Sequence, residues 1–83
     1  MAGLFVTNLL VEPNGDNLEA KLDCIVFATG LRDLTIVSVV LAPTDSLATI
    51  KQKIVTALSD EATRLGYSVP ASNMILPSFQ KGA

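Results

Sequence analysis

Alternation of apolar and polar residues in the first half of the chain predicts β-strands there. Residues 3–11 are rich in strand-forming side chains and predict the first strand. The second predicted strand covers residues 18–28, and over residues 18–24 it alternates strictly, with the apolar side chains on one side. A third strand is predicted over residues 34–42, where both sides are largely apolar. Because a strand that is apolar on both sides is usually buried on both sides, this strand is expected to need cover on each face.

Two turn-forming segments separate these strands. The first contains Pro13 and the pair Asn14-Gly15, which are strong short-range signals for a hairpin. The second covers residues 29–33 and contains Gly30. Strands joined by such short turns are expected to run antiparallel to one another.

The apolar spacing changes after Pro43 and predicts one amphipathic helix of about 20 residues. Thr44 or Asp45 is expected to cap its first turn. Gly66 is expected to end it, with Tyr67 packing back onto it. The predicted apolar stripe comprises Leu47, Ile50, Ile54, Leu58, Ala62 and Leu65.

Residues 73–79 predict a short last strand, after a connector over residues 68–72. Pro77 donates no ladder hydrogen bond, so this strand is expected at a sheet edge, with residues 77–83 as an extended C-terminal arm. The predicted fold class is therefore α+β, with a single small domain over residues 1–83. Its elements follow the order β-β-β-α-β, and a mostly antiparallel sheet packs on one amphipathic helix.

One helix covers only one face of one sheet, so the second face is predicted to lack cover from its own chain. Apolar surface of this kind usually meets a partner. An alternative is that the sheet twists around the helix and leaves these side chains only partly exposed. The predicted interface residues are Ile25, Phe27, Val37, Val39 and Leu41, together with Phe79 as an aromatic anchor on the arm.

Composition supports a protein partner and disfavours other kinds. Of the 83 residues, 49% are hydrophobic and 17% are charged, whereas an average soluble domain has about 25% charged residues. The net charge of −2 disfavours a nucleic-acid partner, which normally meets a basic face. No apolar run approaches the roughly 18 residues that a membrane span needs, so no membrane partner is expected.

The residue types needed for common active sites are missing. The chain has no histidine, which removes Ser-His-Asp and Cys-His arrangements and histidine-ligated metals. Cys24, the single cysteine, is predicted to be a buried structural thiol. Residues 14–19 offer oxygen ligands but lack the spacing of a calcium loop. We therefore expect no catalytic, cofactor-binding or metal-binding residue, no cofactor and no enzymatic activity.

The compartment follows from two features. The apolar N-terminal segment lacks the basic residues of a signal peptide. The single cysteine excludes a disulfide scaffold and suits a reducing compartment. The protein is expected in the cytoplasm where it is made, or in a particle such as a virion that is assembled there.

Part of the chain, residues 35–76, resembles a known family. The matching features are Thr35-Ile36-Val37 in a strand, Pro43-Thr44-Asp45 before Ile50-Lys51-Gln52-Lys53-Ile54, and Val69-Pro70 before Met74-Ile75-Leu76. This pattern resembles the strand–helix–strand middle of ubiquitin-like β-grasp domains. The resemblance implies a sheet that grips one helix and a role in protein–protein binding. The predicted helix is longer than in that family and the chain lacks the terminal diglycine, so conjugation chemistry is not implied.

The general character of the chain also resembles small proteins of tailed-bacteriophage particles. Such proteins are short, apolar and poor in cysteine and histidine. The leading hypothesis is a non-enzymatic structural or assembly subunit that forms a homo-oligomer or docks on a larger protein complex, with a bacteriophage virion component as one form. The alternative is a monomeric, β-grasp-like adaptor or regulator that binds one protein partner. The two hypotheses differ in oligomeric state.

Overall fold

Residues 2–76, which the computed structural model describes, form one sheet and one long helix. The elements are β1 (Gly3–Asn14), β2 (Asn17–Ala28), β3 (Leu31–Leu41), α1 (Leu47–Arg64), a 3-10 turn (Ala71–Asn73) and β4 (Met74–Ile75). The predicted α+β class and the order β-β-β-α-β are confirmed.

The sheet has the strand order β3-β2-β1-β4. β1, β2 and β3 are antiparallel neighbours, and two tight turns connect them. Each turn contains a glycine in the left-handed region, Gly15 with φ 61° and Gly30 with φ 76°, where other residues are disfavoured. The short strand β4 returns after α1 and pairs in parallel with β1, so that Leu4 lies opposite Met74 and Phe5 opposite Ile75.

A β-bulge in β1 explains why this strand shows no simple alternation in the sequence. The register with β2 shifts between Val6 and Asn8, and the Thr7 hydroxyl donates a hydrogen bond to the Asp23 carbonyl at 3.1 Å. The extra residue reverses the side on which odd-numbered and even-numbered residues lie. Val6 and Leu9 therefore both lie on the helix side of the sheet.

The helix α1 begins and ends with side-chain and backbone caps. Ser46, rather than the predicted Thr44 or Asp45, is the N-cap, and its hydroxyl accepts from the Thr49 backbone N–H at 3.2 Å. At the other end Gly66 adopts φ 93°, and the Tyr67 N–H donates to the Ala62 carbonyl at 2.8 Å. This is the predicted glycine termination, and it turns the chain back so that Tyr67 is buried.

Asp45 has a different role from the predicted cap. Its carboxylate accepts from the Ala42 N–H at 2.9 Å and pairs with the Lys53 ammonium at 2.6 Å. These contacts hold the loop between β3 and α1 against the second turn of the helix. They place the start of α1 over the end of β3.

The core lies between α1 and one face of the sheet. On α1, the buried part of the predicted stripe is limited to Ile54, Leu58 and Ala62, while Leu47 at the first turn is exposed. No charged or polar residue among those described is buried. The buried sheet residues are Leu4, Val6, Ala20, Leu22, Cys24, Val26, Val37, Val39 and Leu41.

The prediction that Val37, Val39 and Leu41 lack cover from their own chain is wrong. All three lie under α1 in the core. The reason is the register of the second hairpin, which places Leu22 of the core opposite Val37. Residues directly opposite each other share a face, so these three side chains point toward the helix. Ile36 lies on the opposite face of β3, and its side chain is exposed.

The last strand is shorter than predicted. Residues 71–73 form a 3-10 turn and only Met74 and Ile75 pair with β1. The Asn73 side-chain amide donates to the Ala2 carbonyl at 3.0 Å, which fixes the turn against the start of β1. The predicted anchor Phe79 and the arm over residues 77–83 lie outside the described residues.

Matched substitutions on the two faces of β3 test which side chains of this strand face the helix. Val39→Asn places an amide among buried apolar side chains and should lower the free energy of unfolding by about 3 kcal/mol. Ile36→Asn makes the same change where the side chain is 67% exposed and should cost less than about 1 kcal/mol. Urea unfolding followed by circular dichroism measures both, and equal losses would contradict the assignment of the faces.

Candidate interaction surface

The sheet face opposite α1, here called the open face, carries a continuous line of apolar side chains. Ile75 lies opposite Phe5, Phe5 opposite Ile25, and Ile25 opposite Leu34. These four residues, here called the apolar row, cross all four strands. Ile25 is partly buried by its neighbours, whereas Leu34 is 76% exposed and Ile75 is 57% exposed. No element within residues 2–76 packs over this row.

Phe27 and Ile36 flank the apolar row on its two sides. Phe27 lies opposite Gly3, and a Cβ atom at position 3 would come within 2.5 Å of the Phe27 ring. The glycine therefore leaves room for the ring to lie across β1. Beside the ring is a shallow depression lined by Ala2, Gly3, Phe27, Ser72, Asn73 and Ile75. Its lining is mostly apolar, which suits an apolar side chain of a partner.

Toward the β1–β2 turn the open face becomes polar. The Lys21 ammonium lies 3.7 Å from a Glu12 oxygen and 3.8 Å from a Glu19 oxygen. These exposed ion pairs contribute little stability, roughly 0–1 kcal/mol each. In this half of the open face the charged side chains lie beside Leu10 and Val40, which are about half exposed, so the apolar surface here is interrupted by charge.

The predicted interface residues divide between two locations. Ile25 and Phe27 lie on the open face, as expected, whereas Val37, Val39 and Leu41 are in the core. The sequence analysis missed six exposed members of the open face. These are Phe5, Leu10, Leu34, Ile36, Val40 and Ile75.

The sequence contains a signal that indicates which β3 residues lie on the open face. If Thr29 and Gly30 form a two-residue turn, Ala28 must lie opposite Leu31, and Ile25 then lies opposite Leu34. Even-numbered β3 residues therefore share the face of Ile25. For β1 no such signal existed, because the bulge changes the alternation without a glycine or proline to mark it.

A polar cluster lies at the edge where α1 crosses β3. The Arg64 guanidinium donates to both carboxylate oxygens of Glu61, each at 2.7 Å, and the Thr35 hydroxyl donates to the same carboxylate. These hydrogen bonds from Arg64 and Thr35 lower the pKa of Glu61 to about 2. The ionised Glu61 in turn raises the pKa of Arg64. The cluster fastens the helix to β3.

A second contact fastens the residues after α1 to the same strand. The Tyr67 hydroxyl donates to an Asp33 carboxylate oxygen at 2.7 Å, and this hydrogen bond, helped by burial of the ring, raises the pKa of Tyr67. A tyrosine with a raised pKa is a poorer acid, and a glutamate with a pKa near 2 is a poor base. Both contacts therefore act as structural links to β3.

The remaining reactive group is the Cys24 thiol, which lies in the core of β2. Burial, followed by the charges of Asp23 and Glu61, raises its pKa to about 11. Such a thiol is not a nucleophile near neutral pH. Within residues 2–76 no group of three His, Cys, Asp or Glu side chains is placed to hold a metal ion. The one long helix of this part of the chain is not apolar enough to cross a membrane.

Comparisons with known proteins give no family for this chain. No protein-family model, no curated protein and no solved structure matches it. The resemblances to ubiquitin-like domains and to phage particle proteins therefore stay predictions.

The pKa of Glu61 predicts how the tie between α1 and β3 responds to acid. Because this pKa is about 2 in the folded protein and about 4.5 in the unfolded chain, the stabilisation is fully present above pH 4.5. It is lost as the pH falls toward 2. Glu61→Gln should therefore be less stable than the wild type at pH 7, and the difference should shrink between pH 4.5 and 2. Urea unfolding at several pH values measures this difference.

Asp60→Asn is the matched control for Glu61→Gln. It removes the same charge from the adjacent, exposed position on α1, which makes none of the described hydrogen bonds to β3. We expect this control to follow the wild type closely at each pH. A difference between Glu61→Gln and the wild type that stayed constant down to pH 2 would contradict the assigned tie.

The buried thiol gives a prediction about accessibility. In the folded protein at pH 8, Cys24 should not react with a thiol reagent such as DTNB, because its side chain is buried and its thiolate is disfavoured. In urea the same thiol should react within the mixing time. Rapid reaction of the folded protein would show that β2 is open to solvent at this position.

Proposed function

We propose that this protein is a non-enzymatic structural subunit that assembles with other proteins through its open face. The observation that carries the proposal is the apolar row, which crosses all four strands and has no cover within residues 2–76. Leaving this many large apolar side chains in water is unfavourable, at about 25 cal/mol for each Å². Soluble proteins that retain such a surface usually bind something there.

The shape and charge of the open face favour a protein partner. The sheet surface is broad, its centre is apolar, and its polar side is formed by Glu12, Glu19 and Lys21. An apolar centre with a polar rim is the usual composition of a protein–protein interface. Arg32 and Lys21 are the only basic side chains on the strands of this face, which disfavours a nucleic-acid backbone as the partner.

The absence of an evident reaction centre among the described residues is compatible with this function but does not carry it. The polar groups with shifted pKa values are engaged in ties between α1 and β3. A subunit of a phage particle is one form of the proposal, which is supported only by the compositional resemblance. The predicted Phe79 anchor would add a contact beyond the open face.

Mass in solution tests the proposal. Light scattering over a concentration series should give a mass above the 8.7 kDa of one chain, and the mass should rise with concentration. Ile75→Lys, which places a charge at one end of the apolar row, should lower that mass. A constant 8.7 kDa at every concentration would reject self-assembly and favour the monomeric adaptor.

Val11→Lys is the control for this variant. Val11 is also half-exposed, at 48%, but it lies opposite Ala20 and therefore on the other face of the sheet. We expect it to assemble like the wild type. Equal loss of mass in the two variants would mean that added charge, rather than the open face, determines association.

A further inference from the structure

The outer edge of β3 is the most unprotected part of the sheet. β3 is the end strand on one side, and no strand within residues 2–76 pairs with its outer side. In an antiparallel ladder, alternate residues of an end strand direct both their N–H and C=O groups away from the sheet. Such an edge is a template for another strand.

The two edges of this sheet differ in how well they are protected from pairing with another strand. On the opposite side β4 pairs with Leu4 and Phe5, the bulge near Thr7 interrupts β1, and Pro13 removes a donor. Bulges, prolines and short covering strands are the usual ways of blocking an edge. β3 has none of them.

β3 also lacks the charges that usually block an edge. It pairs with β2 without interruption over its whole length, and its only charged residues are Arg32 and Asp33 at its start. From Leu34 to Leu41 there is no charge, proline or glycine. A strand of this kind is expected to aggregate unless it is paired.

The last described strand lies far from this edge. β4 is at the other side of the sheet, about four strand spacings or 19 Å from a position outside β3. No described strand therefore competes with a partner for the outer side of β3.

We propose that the outer edge of β3 pairs antiparallel with β3 of a second copy of this chain, across a two-fold axis perpendicular to the sheet. This inference rests on the proposed assembly function, names a second copy as one partner and adds an edge contact to the open face. A two-fold axis makes the two edges self-complementary, as in most homodimers. The uncharged segment from Leu34 to Leu41 brings no like charges together in such a pair.

This pairing would combine the open faces of the two copies. Residues directly opposite in an antiparallel pair share a face, so Leu34, Ile36 and Val40 of each copy would lie beside those of the other. The exposed side chains at this edge would be partly buried, which adds apolar contact to the backbone hydrogen bonds. The result is an eight-stranded sheet with one continuous open face.

Hydrogen exchange of the β3 amides tests the proposal in the wild-type protein. Alternate β3 amides, those directed away from β2, should exchange rapidly at low concentration. On assembly they should slow by roughly tenfold or more, because pairing occupies their N–H groups. The other β3 amides should stay protected in both states. An oligomer in which both sets exchange at unchanged rates would overturn edge pairing while leaving the proposed assembly function intact.

A pair of double variants tests the antiparallel orientation. With the pair centred on Val37, Leu34→Lys and Val40→Glu lie opposite each other across the two copies, whereas within one strand the two positions are six residues, or about 20 Å, apart. Leu34→Lys with Val40→Lys is the matched like-charged control. We expect the first to associate roughly tenfold more tightly than the second, and salt should reduce the difference.

Circular dichroism and urea unfolding of both double variants check that each monomer folds. Equal association constants for the two variants would overturn the antiparallel pairing of β3. If neither variant associates, hydrogen exchange of the wild type still decides whether the outer edge of β3 is paired in the assembled protein. A wild type of 8.7 kDa at all concentrations would instead reject the assembly function itself.

Discussion

The packing of a single helix against a two-faced sheet is the constraint from which the other properties of this protein follow. α1 has one apolar stripe, with Ile54 and Leu58 at its centre, and it covers one face of β1, β2 and β3. Burying that face provides the main stabilisation of a domain of this size, which has few residues to spare for a second layer. The opposite face is left without cover inside residues 2–76.

The polar contacts of the structure hold α1 in position over the sheet. Glu61 and Arg64 tie the end of α1 to Thr35, Tyr67 ties the following residues to Asp33, and Asp45 ties the first turns of the helix to the end of β3. All three contacts lie along β3. They hold the helix against β3, and they engage the titratable groups that otherwise would be the natural candidates for acid–base chemistry.

The proposed assembly would use both the open face and the edge of β3. Edge pairing by backbone hydrogen bonds would join two copies, and the apolar row would supply a second surface for association of these pairs. The two most exposed apolar residues, Leu34 and Ile36, lie on the strand that also has the unprotected edge. A monomer with this edge and this face would be prone to aggregation, which is the physical reason for expecting the natural state to be an assembled one.

The sequence by itself determined the elements, their order and the imbalance between one helix stripe and two apolar sheet faces. Alternation over residues 18–24, the glycines at 15, 30 and 66 and the stripe through Ile54 and Leu58 are local signals, and they specify local structure. The turn at Thr29-Gly30 relates the faces of β2 and β3 to each other, but only the tertiary structure decided which of the two faces the helix covers. A shift of one residue in register exchanges every side chain between the faces, and both faces of β3 are apolar enough to serve as core. The tight turn at Thr29-Gly30 and the helix ties selected Val37 and Val39 for the core and left Leu34 and Ile36 for the surface.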